Sequence, residues 1–426
     1  MAKLKRTLGL LETTFYGVGV ILGAGIYALI GEAAGLAGNA VWLAFAIGAL
    51  ISAFTGLSYA ELASLFPKAG GEYVYTEHAI NKRLAFLVGW MIIASGVIAA
   101  ATISLGFAGY FNAISKMPVI PIAILLIALL SVINYWGINE SAFFNTISTL
   151  IEIGGLILII AFGLKYVGNV NYFTLPPAGI SGILGATALI FFAFLGFEDL
   201  PRLSEETKNP AKTIPQALML SILISSILYI AVAVITVSVL GWQNLASSSA
   251  PLAQVAAIAI NPKMFFIVSV IALFATFNTV LVTLIAASRM VYGMAEEHAL
   301  PLAFSKVSKK TQTPWEAIIV VGILSALFVL IGKIGIVASL TDFGIFLTFA
   351  LVNISLIILR YKMPNAHRTF KVPINIGKLP VLAVLGAATS VFMLFQFEWK
   401  IVLAGFSTAI TGLLAYELVK RKNKNK

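Results

Sequence analysis

The sequence predicts an all-α membrane protein with twelve spanning helices, two five-helix halves of opposite orientation followed by two further helices, with helices one and six interrupted. Three observations carry that prediction. Of 426 residues, 60% are hydrophobic and only 11% charged, with a mean hydropathy of +1.00, far outside the range of soluble domains. The runs 33–60, 84–115, 117–139, 166–197, 213–262 and 264–288 contain no Asp, Glu, Lys or Arg, and a spanning helix needs about 20 apolar residues. Finally, segments one and six, the first members of the two halves, are each broken by glycine in mid-membrane.

Spanning helices are expected at 10–36, 40–66, 84–112, 119–138, 141–165, 181–200, 214–240, 264–294, 315–332, 336–360, 380–397 and 400–419. With a cytoplasmic N-terminus, 23 of the 28 Lys and Arg residues fall inside, and only Lys116, Lys165, Lys263, Lys333 and Lys400 fall outside. This obeys the positive-inside rule and puts both termini in the cytoplasm of a multi-pass cell-membrane protein. The net charge of +11 therefore describes topology rather than nucleic-acid binding. No cysteine is present, which excludes disulfides and thiolate-held metals. The first apolar run begins near Leu8 and is too long for a signal-peptide core, so no cleavage is expected.

Segment one contains Gly17-Val-Gly-Val-Ile-Leu-Gly-Ala-Gly-Ile-Tyr-Ala-Leu-Ile-Gly31, five glycines in fifteen residues. Each costs a helix interior about 1 kcal/mol relative to alanine, so the helix is weakest at Gly23–Gly25. Broken backbone at membrane depth survives only where it is buried or lines a cavity, and the half-helices then aim free N–H and C=O groups into that cavity. The plainer alternative is that the glycines only allow close helix packing. Pro67 and Gly70-Gly71 stop the second helix, and the amphipathic 72–83 stretch suits the cytoplasmic interface. Glu152 sits eleven residues into segment five, near the midplane.

Segment six repeats the anomaly. It runs uncharged through Ile190-Phe-Phe-Ala-Phe-Leu-Gly-Phe197, turns polar at Glu198-Asp199 and meets Pro201. Interrupted helices at corresponding places in two inverted halves point to the binding site of a secondary transporter. Segment eight carries Thr276, Asn278, Thr279 and Thr283, which suit interhelical hydrogen bonds or a polar site. Segments eleven and twelve have neither a break nor a midplane charge and are expected to be scaffold or oligomer contact.

Four motifs stand in a known order: Ile21-Leu-Gly-Ala-Gly-Ile-Tyr27, Phe66-Pro-Lys-Ala-Gly-Gly-Glu-Tyr73, Phe192-Ala-Phe-Leu-Gly-Phe-Glu198 with Glu205-Glu-Thr-Lys-Asn-Pro210, and Ser288-Arg-Met-Val-Tyr292 before Leu300-Pro301. Together they resemble the amino acid–polyamine–organocation transporter family over about residues 8–362, with the 379–420 helices matching in number only. The resemblance implies a five-plus-five inverted repeat, an amino acid or amine substrate, and secondary active transport by alternating access. It places the substrate carboxylate at the N–H groups of Gly23, Ala24 and Gly25, in accord with the positive end of a half-helix. It places the ammonium at carbonyls of Phe192, Ala193 and Leu195, with Phe194 as an aromatic lid. Glu205, Glu206 and Arg289 would form a cytoplasmic gate, or else be solvated loop charges.

Glu152 departs from the resemblance, since several proton-coupled relatives carry lysine there. Desolvation favours its neutral form, which suits a proton carrier; it also suits a ligand for a monovalent cation, or a structural hydrogen-bonding residue. The expected pocket, from segments one, three, six, eight and ten, offers Ala94, Ser95, Ala99 and Thr102 with no charge besides Glu152, which favours a neutral amino acid. A cationic amino acid or polyamine carrier or exchanger is the alternative. A channel would show a charged filter ring. An enzyme would show a nucleophile or acid–base cluster, whereas His78, His298 and His367 all fall in loops. A transporter-like sensor would usually carry a long soluble extension. No cofactor or metal is expected, and the partners are substrate, protons or a monovalent cation, and the lipid bilayer.

Overall fold

The first apolar segment does not run through as one helix. It divides into α1 (Leu10–Ile21) and α2 (Ala24–Ala37), separated where Gly23 leaves the helical region at φ −47° and ψ −155°. The computed structural model describes residues 8–66, 71–136, 142–176, 178–296 and 299–424. The helices that follow are α3 (Val41–Leu65), α4 (Gly71–Ala79), α5 (Lys82–Ser115), α6 (Val119–Trp136), α7 (Ala142–Gly163) and α8 (Gly179–Ile190). Then come α9 (Pro210–Leu240), two short helices α10 (Trp242–Ser247) and α11 (Pro251–Ala259), α12 (Met264–Glu296), α13 (Trp315–Val329) and α14 (Ile334–Lys362). A two-residue hairpin, Asn375–Ile376 against Leu379–Pro380, precedes α15 (Val381–Leu394) and α16 (Trp399–Lys424).

Among the described residues, nine helical stretches are long and apolar enough to cross a membrane, a count in which α2 and α3 form one stretch. Three shorter apolar helices, α1, α13 and α15, accompany them. The chain is therefore an all-α, multi-pass membrane protein. Local sequence explains most boundaries: Asn81 caps α5 by accepting the Leu84 N–H at 2.9 Å, and Pro210 opens α9 at a position where no N–H is needed.

The α4 helix, whose sequence suits an interface, is packed onto the bundle. Glu72, Tyr75, Thr76 and Ala79 are buried, the i, i+3, i+4 face of a helix packed against α5 and α14. Leu8, the first described residue, is pinned beyond the sixth segment: its N–H donates to the Glu206 carbonyl at 3.1 Å, and its own carbonyl accepts from Lys208 N–H at 2.8 Å. The start of segment one is thereby tied to the chain that follows the break of segment six.

At the same end of the molecule, Glu61 of α3 is fully buried and faces two guanidinium groups. Arg360 Nη2 donates to Glu61 Oε2 at 2.6 Å, and Arg368 Nε lies 3.0 Å from Oε1. The Val372 N–H also reaches Oε2, at 2.8 Å. This cluster joins α3, α14 and the connection to α15.

Candidate functional site

The α1 helix closes with Leu22 N–H bonded to the Val18 carbonyl at 2.8 Å, and α2 begins two residues later. A helix leaves its first N–H groups without internal partners. Here, among the described residues, the Ala24 N–H is met only by Thr279 Oγ1, at 3.4 Å. That hydroxyl spends its own proton on the Ala275 carbonyl at 2.9 Å, so it serves Ala24 as an acceptor.

The sixth segment breaks differently. After α8 the chain forms a 3₁₀ turn over Phe191–Phe194, an extended Leu195, Gly196 at φ 119°, and a second 3₁₀ stretch over Phe197–Glu205. In a 3₁₀ turn side chains three apart eclipse each other. Phe191 and Phe194 thus share one face, with Phe191 packed on Phe346 (ring centroids 4.4 Å apart) and Phe194 on Tyr229 (5.3 Å). Phe192 and Leu195 share the other face and line the cavity. Phe194 is therefore a core residue, and Phe192 is the aromatic residue of this turn at the cavity. Gly196 has the backbone only glycine adopts without strain, and a Cβ there would lie 2.5 Å from Val20 Cγ1. Its N–H donates to Glu198 Oε2 at 2.8 Å.

The two breaks touch. A Cβ on Gly25 would sit 2.5 Å from the Cα of Ala193, so this glycine lets one broken helix press against the other. From the side, the Tyr229 hydroxyl of α9 lies 2.5 Å from the Ile21 carbonyl oxygen and 2.8 Å from that of Ala193. Of the carbonyls expected to meet an ammonium, Ala193 is thus engaged by Tyr229, and Phe192 accepts Leu195 N–H at 3.3 Å. The Leu195 carbonyl takes no hydrogen bond among the described residues.

A cavity of about 170 Å³ opens where the breaks meet. Gly23, Ala24, Gly25, Phe192 and Leu195 line it; Ala193 and Phe194 do not. Segments one, three, six, eight and ten all contribute, the third through Ser95 and Ala99 but not through Ala94 or Thr102. Thr102 instead bonds back to the Ile98 carbonyl at 3.1 Å. The walls are mostly apolar, with threonines at 279, 283, 341 and 348. Against the sequence expectation of an uncharged pocket, Glu72, Glu198 and Asp199 line it, and Tyr59 Oη donates to Glu72 Oε1 at 3.2 Å.

Glu152 does not line this cavity. On either side of it along α7, Thr149 packs where a Gly19 Cβ would be, and Gly155 lies against the Tyr27 hydroxyl. Glu152, about one turn from each, is buried at the level of the first break, and its backbone carbonyl accepts the Tyr27 hydroxyl at 3.1 Å. Glu206 and Arg289 are both exposed, and no ion pair joins them among the described residues. The Glu205 side chain lies outside the described residues, as do Pro67, Gly70 and His298.

Sequence reasoning missed Tyr229, Asp342 and the acids at the cavity. A tyrosine in mid-span was a usable signal, since membrane tyrosines gather at the two interfaces. So was the single acid within the long apolar stretch of α14.

Two interrupted membrane helices, with backbone groups turned toward one small buried cavity, define a carrier for a small solute. The chain belongs to the amino acid permease family, whose pattern it matches over residues 8–413. It is 31% identical over 441 residues to the branched-chain amino acid permease BcaP of Bacillus subtilis (strain 168), covering 99% of this chain and 94% of that protein. It is 28% identical to the methylthioribose transporter of the same organism, with the same coverage. To the vacuolar cationic amino acid transporter 4 of Arabidopsis thaliana it is 29% identical over 85% of this chain and 64% of that one. The protein is an amino-acid permease of the amino acid–polyamine–organocation superfamily, a multi-pass secondary transporter of the cell membrane and not an enzyme.

Proposed function

We propose that this permease carries a neutral amino acid by alternating access through a twelve-helix, five-plus-five inverted-repeat architecture with both termini cytoplasmic. In this reading residues 8–362 form the transport core and 379–420 the two additional helices. The observation that carries the proposal is the meeting of both breaks at one cavity. The substrate carboxylate takes the N–H groups at Gly23, Ala24 and Gly25, where the positive end of α2 favours an anion. The ammonium takes the Leu195 carbonyl, and Phe192 covers the bound molecule. Apolar walls from Ile103, Val282 and Ile345 suit an aliphatic side chain, in keeping with the branched-chain name of one relative. The tie from Leu8 to Glu206 and Lys208 makes the inner ends of segments one and six move together, and Glu205, Glu206 and Arg289 close the cytoplasmic mouth. Glu152, beside the first break, couples the cycle to a proton.

A second reading is favoured by Glu72, Glu198 and Asp199 at the cavity: a cationic amino acid, whose extra positive charge these acids receive. Uptake into proteoliposomes across the twenty amino acids, with and without an imposed pH gradient, tests both. Leucine, isoleucine or valine should dominate. Preferential lysine or arginine flux would establish the second reading, and absence of flux for every amino acid would overturn the proposal.

A further inference from the structure

We propose that Asp342 is a second proton-binding site of this carrier, beside the break of the sixth segment as Glu152 is beside the break of the first. Counting each broken helix as one segment, α7 is the fifth and α14 the tenth, so each half of the chain carries a mid-span acid on its fifth helix. The proposal rests on the transport reading above and adds a residue that the sequence pattern alone did not single out.

The geometry is specific. Asp342 is fully buried, and neither carboxyl oxygen has a hydrogen-bond partner among the described residues. The Phe192 backbone N–H lies beside the carboxyl. One turn further along α14, Phe346 packs on Phe191, so this face of the helix lies directly on the 3₁₀ turn of the second break. Immediately before Asp342, Thr341 lines the inner cavity; three residues before it, Ser339 lines a separate outer vestibule of about 880 Å³. Asp342 therefore stands in the partition between the two spaces.

Among the described residues no charge is paired with it. Of the elements packed against α14, the 3₁₀ turn, α8 and α15 carry no titratable side chain. The α2 helix brings Tyr27 and Glu32, and α3 brings Tyr59 and Glu61. Lys82, Arg83 and Tyr110 lie on α5, with Glu72, Tyr73, Tyr75, Glu77 and His78 on α4. The α16 helix brings Lys400, Tyr416, Glu417 and Lys420, while Arg360, Tyr361 and Lys362 lie far along α14 itself. None of these forms a hydrogen bond or ion pair with Asp342 among the described residues. A buried carboxylate without a partner is costly, so the occluded site holds the neutral acid. Opening to the vestibule admits water and lets the carboxylate take a proton from the outer solution. Closure there and opening toward the inner cavity releases that proton to the inner solution, and the movement of Phe192 with its turn links the exchange to segment six.

The test is Asp342→Asn in proteoliposomes, with L-leucine as probe and L-alanine and L-lysine beside it. Counterflow without a gradient should stay within about twofold of wild type, while accumulation driven by an inward proton gradient falls to simple equilibration. Asp342→Glu should restore accumulation with a displaced pH profile, which also covers the case in which the asparagine variant fails to fold. Normal gradient-driven accumulation in Asp342→Asn would overturn the proposal. So would a loss that depends on exchanging Na⁺ or K⁺ for choline rather than on pH, because the site would then hold a metal cation. Where the wild-type protein moves none of these three, the probe is whichever of the twenty amino acids it does move, and if it moves none the transport reading fails instead.

Discussion

The Tyr229 hydroxyl of α9 sits 2.5 Å from the carbonyl oxygen of Ile21, the last residue of α1. The Tyr229 hydroxyl is also 2.8 Å from the Ala193 carbonyl oxygen, yet a phenol has one proton to give. Two carbonyls, one from each broken helix, therefore compete for a single donor at the point where both helices lose their internal hydrogen bonds. Any movement that separates segment one from segment six must leave one of them without it.

Tyr229→Phe keeps the ring packed between Phe45 and Phe194 and removes only the donor. An unsatisfied buried acceptor costs about 1–3 kcal/mol. The variant is expected to lose several degrees of thermal stability and about tenfold in affinity for the transported amino acid, since about 1.4 kcal/mol is one decade. Thermal unfolding in detergent and a binding titration measure the two. Unchanged values in both would mean the hydroxyl is incidental to the breaks.

Gly25 and Gly23 should behave differently, although both lie in the same motif. A methyl group at Gly25 meets the Ala193 backbone at 2.5 Å, which cannot rotate away, and overpacking of this kind costs about 1–3 kcal/mol. At Gly23 the nearest atom is the Thr279 hydroxyl, 3.0 Å away, and a rotamer change relieves it. Gly25→Ala is thus expected to lower the unfolding temperature, and Gly23→Ala to weaken substrate binding with little loss of stability. Equal stability of the two variants would remove the packing role from Gly25.

Both breaks were legible in the sequence because their causes are local: glycine clusters, and an abrupt change from apolar to acidic residues. What faces the cavity was less so. The lid role given to Phe194 presumed the wrong face, because a three-residue turn turns Phe191 and Phe194 together into the core and leaves Phe192 and Leu195 outside. The acid at 72 reads as part of an amphipathic interfacial stretch, and those at 198 and 199 as the polar turn that ends the apolar run of segment six; only the folding of α4 and the second 3₁₀ stretch brings them to the cavity. Glu61 drew no notice at all, since its partners Arg360 and Arg368 lie about 300 residues away in sequence.

That ion cluster should be structural. Glu61 and the Arg368 side chain are almost wholly buried, and breaking a buried pair by removing one partner costs about 3–5 kcal/mol. Arg360→Ala is expected to unfold at a clearly lower temperature, and Glu61→Gln to do the same because two guanidinium groups then face no anion. If Glu61→Gln matched wild type in thermal unfolding, the cluster would contribute nothing to holding α3, α14 and the following loop together.

Glu152 is the last test, and three observations frame it. It is buried at the level of the first break, and no basic side chain forms an ion pair with it among the described residues. Its helix presses on α1 through Thr149 and on α2 through the Tyr27 hydroxyl, so rearrangement of either half-helix changes its surroundings. And it lies outside the cavity, so replacing it leaves the substrate's own contacts in place. A carboxyl there is stable neutral when dry and ionises when water reaches it. Glu152→Gln fixes the neutral state with the same shape. Binding and gradient-free exchange are therefore expected to persist. An inward gradient of one pH unit, which supports about tenfold accumulation for each proton coupled to a substrate, should instead yield none. Uptake measured against external pH should also lose its acid-side rise. Should Glu152→Gln still concentrate substrate in response to the gradient, Glu152 holds α7 to the first break and the coupling proton binds at another group.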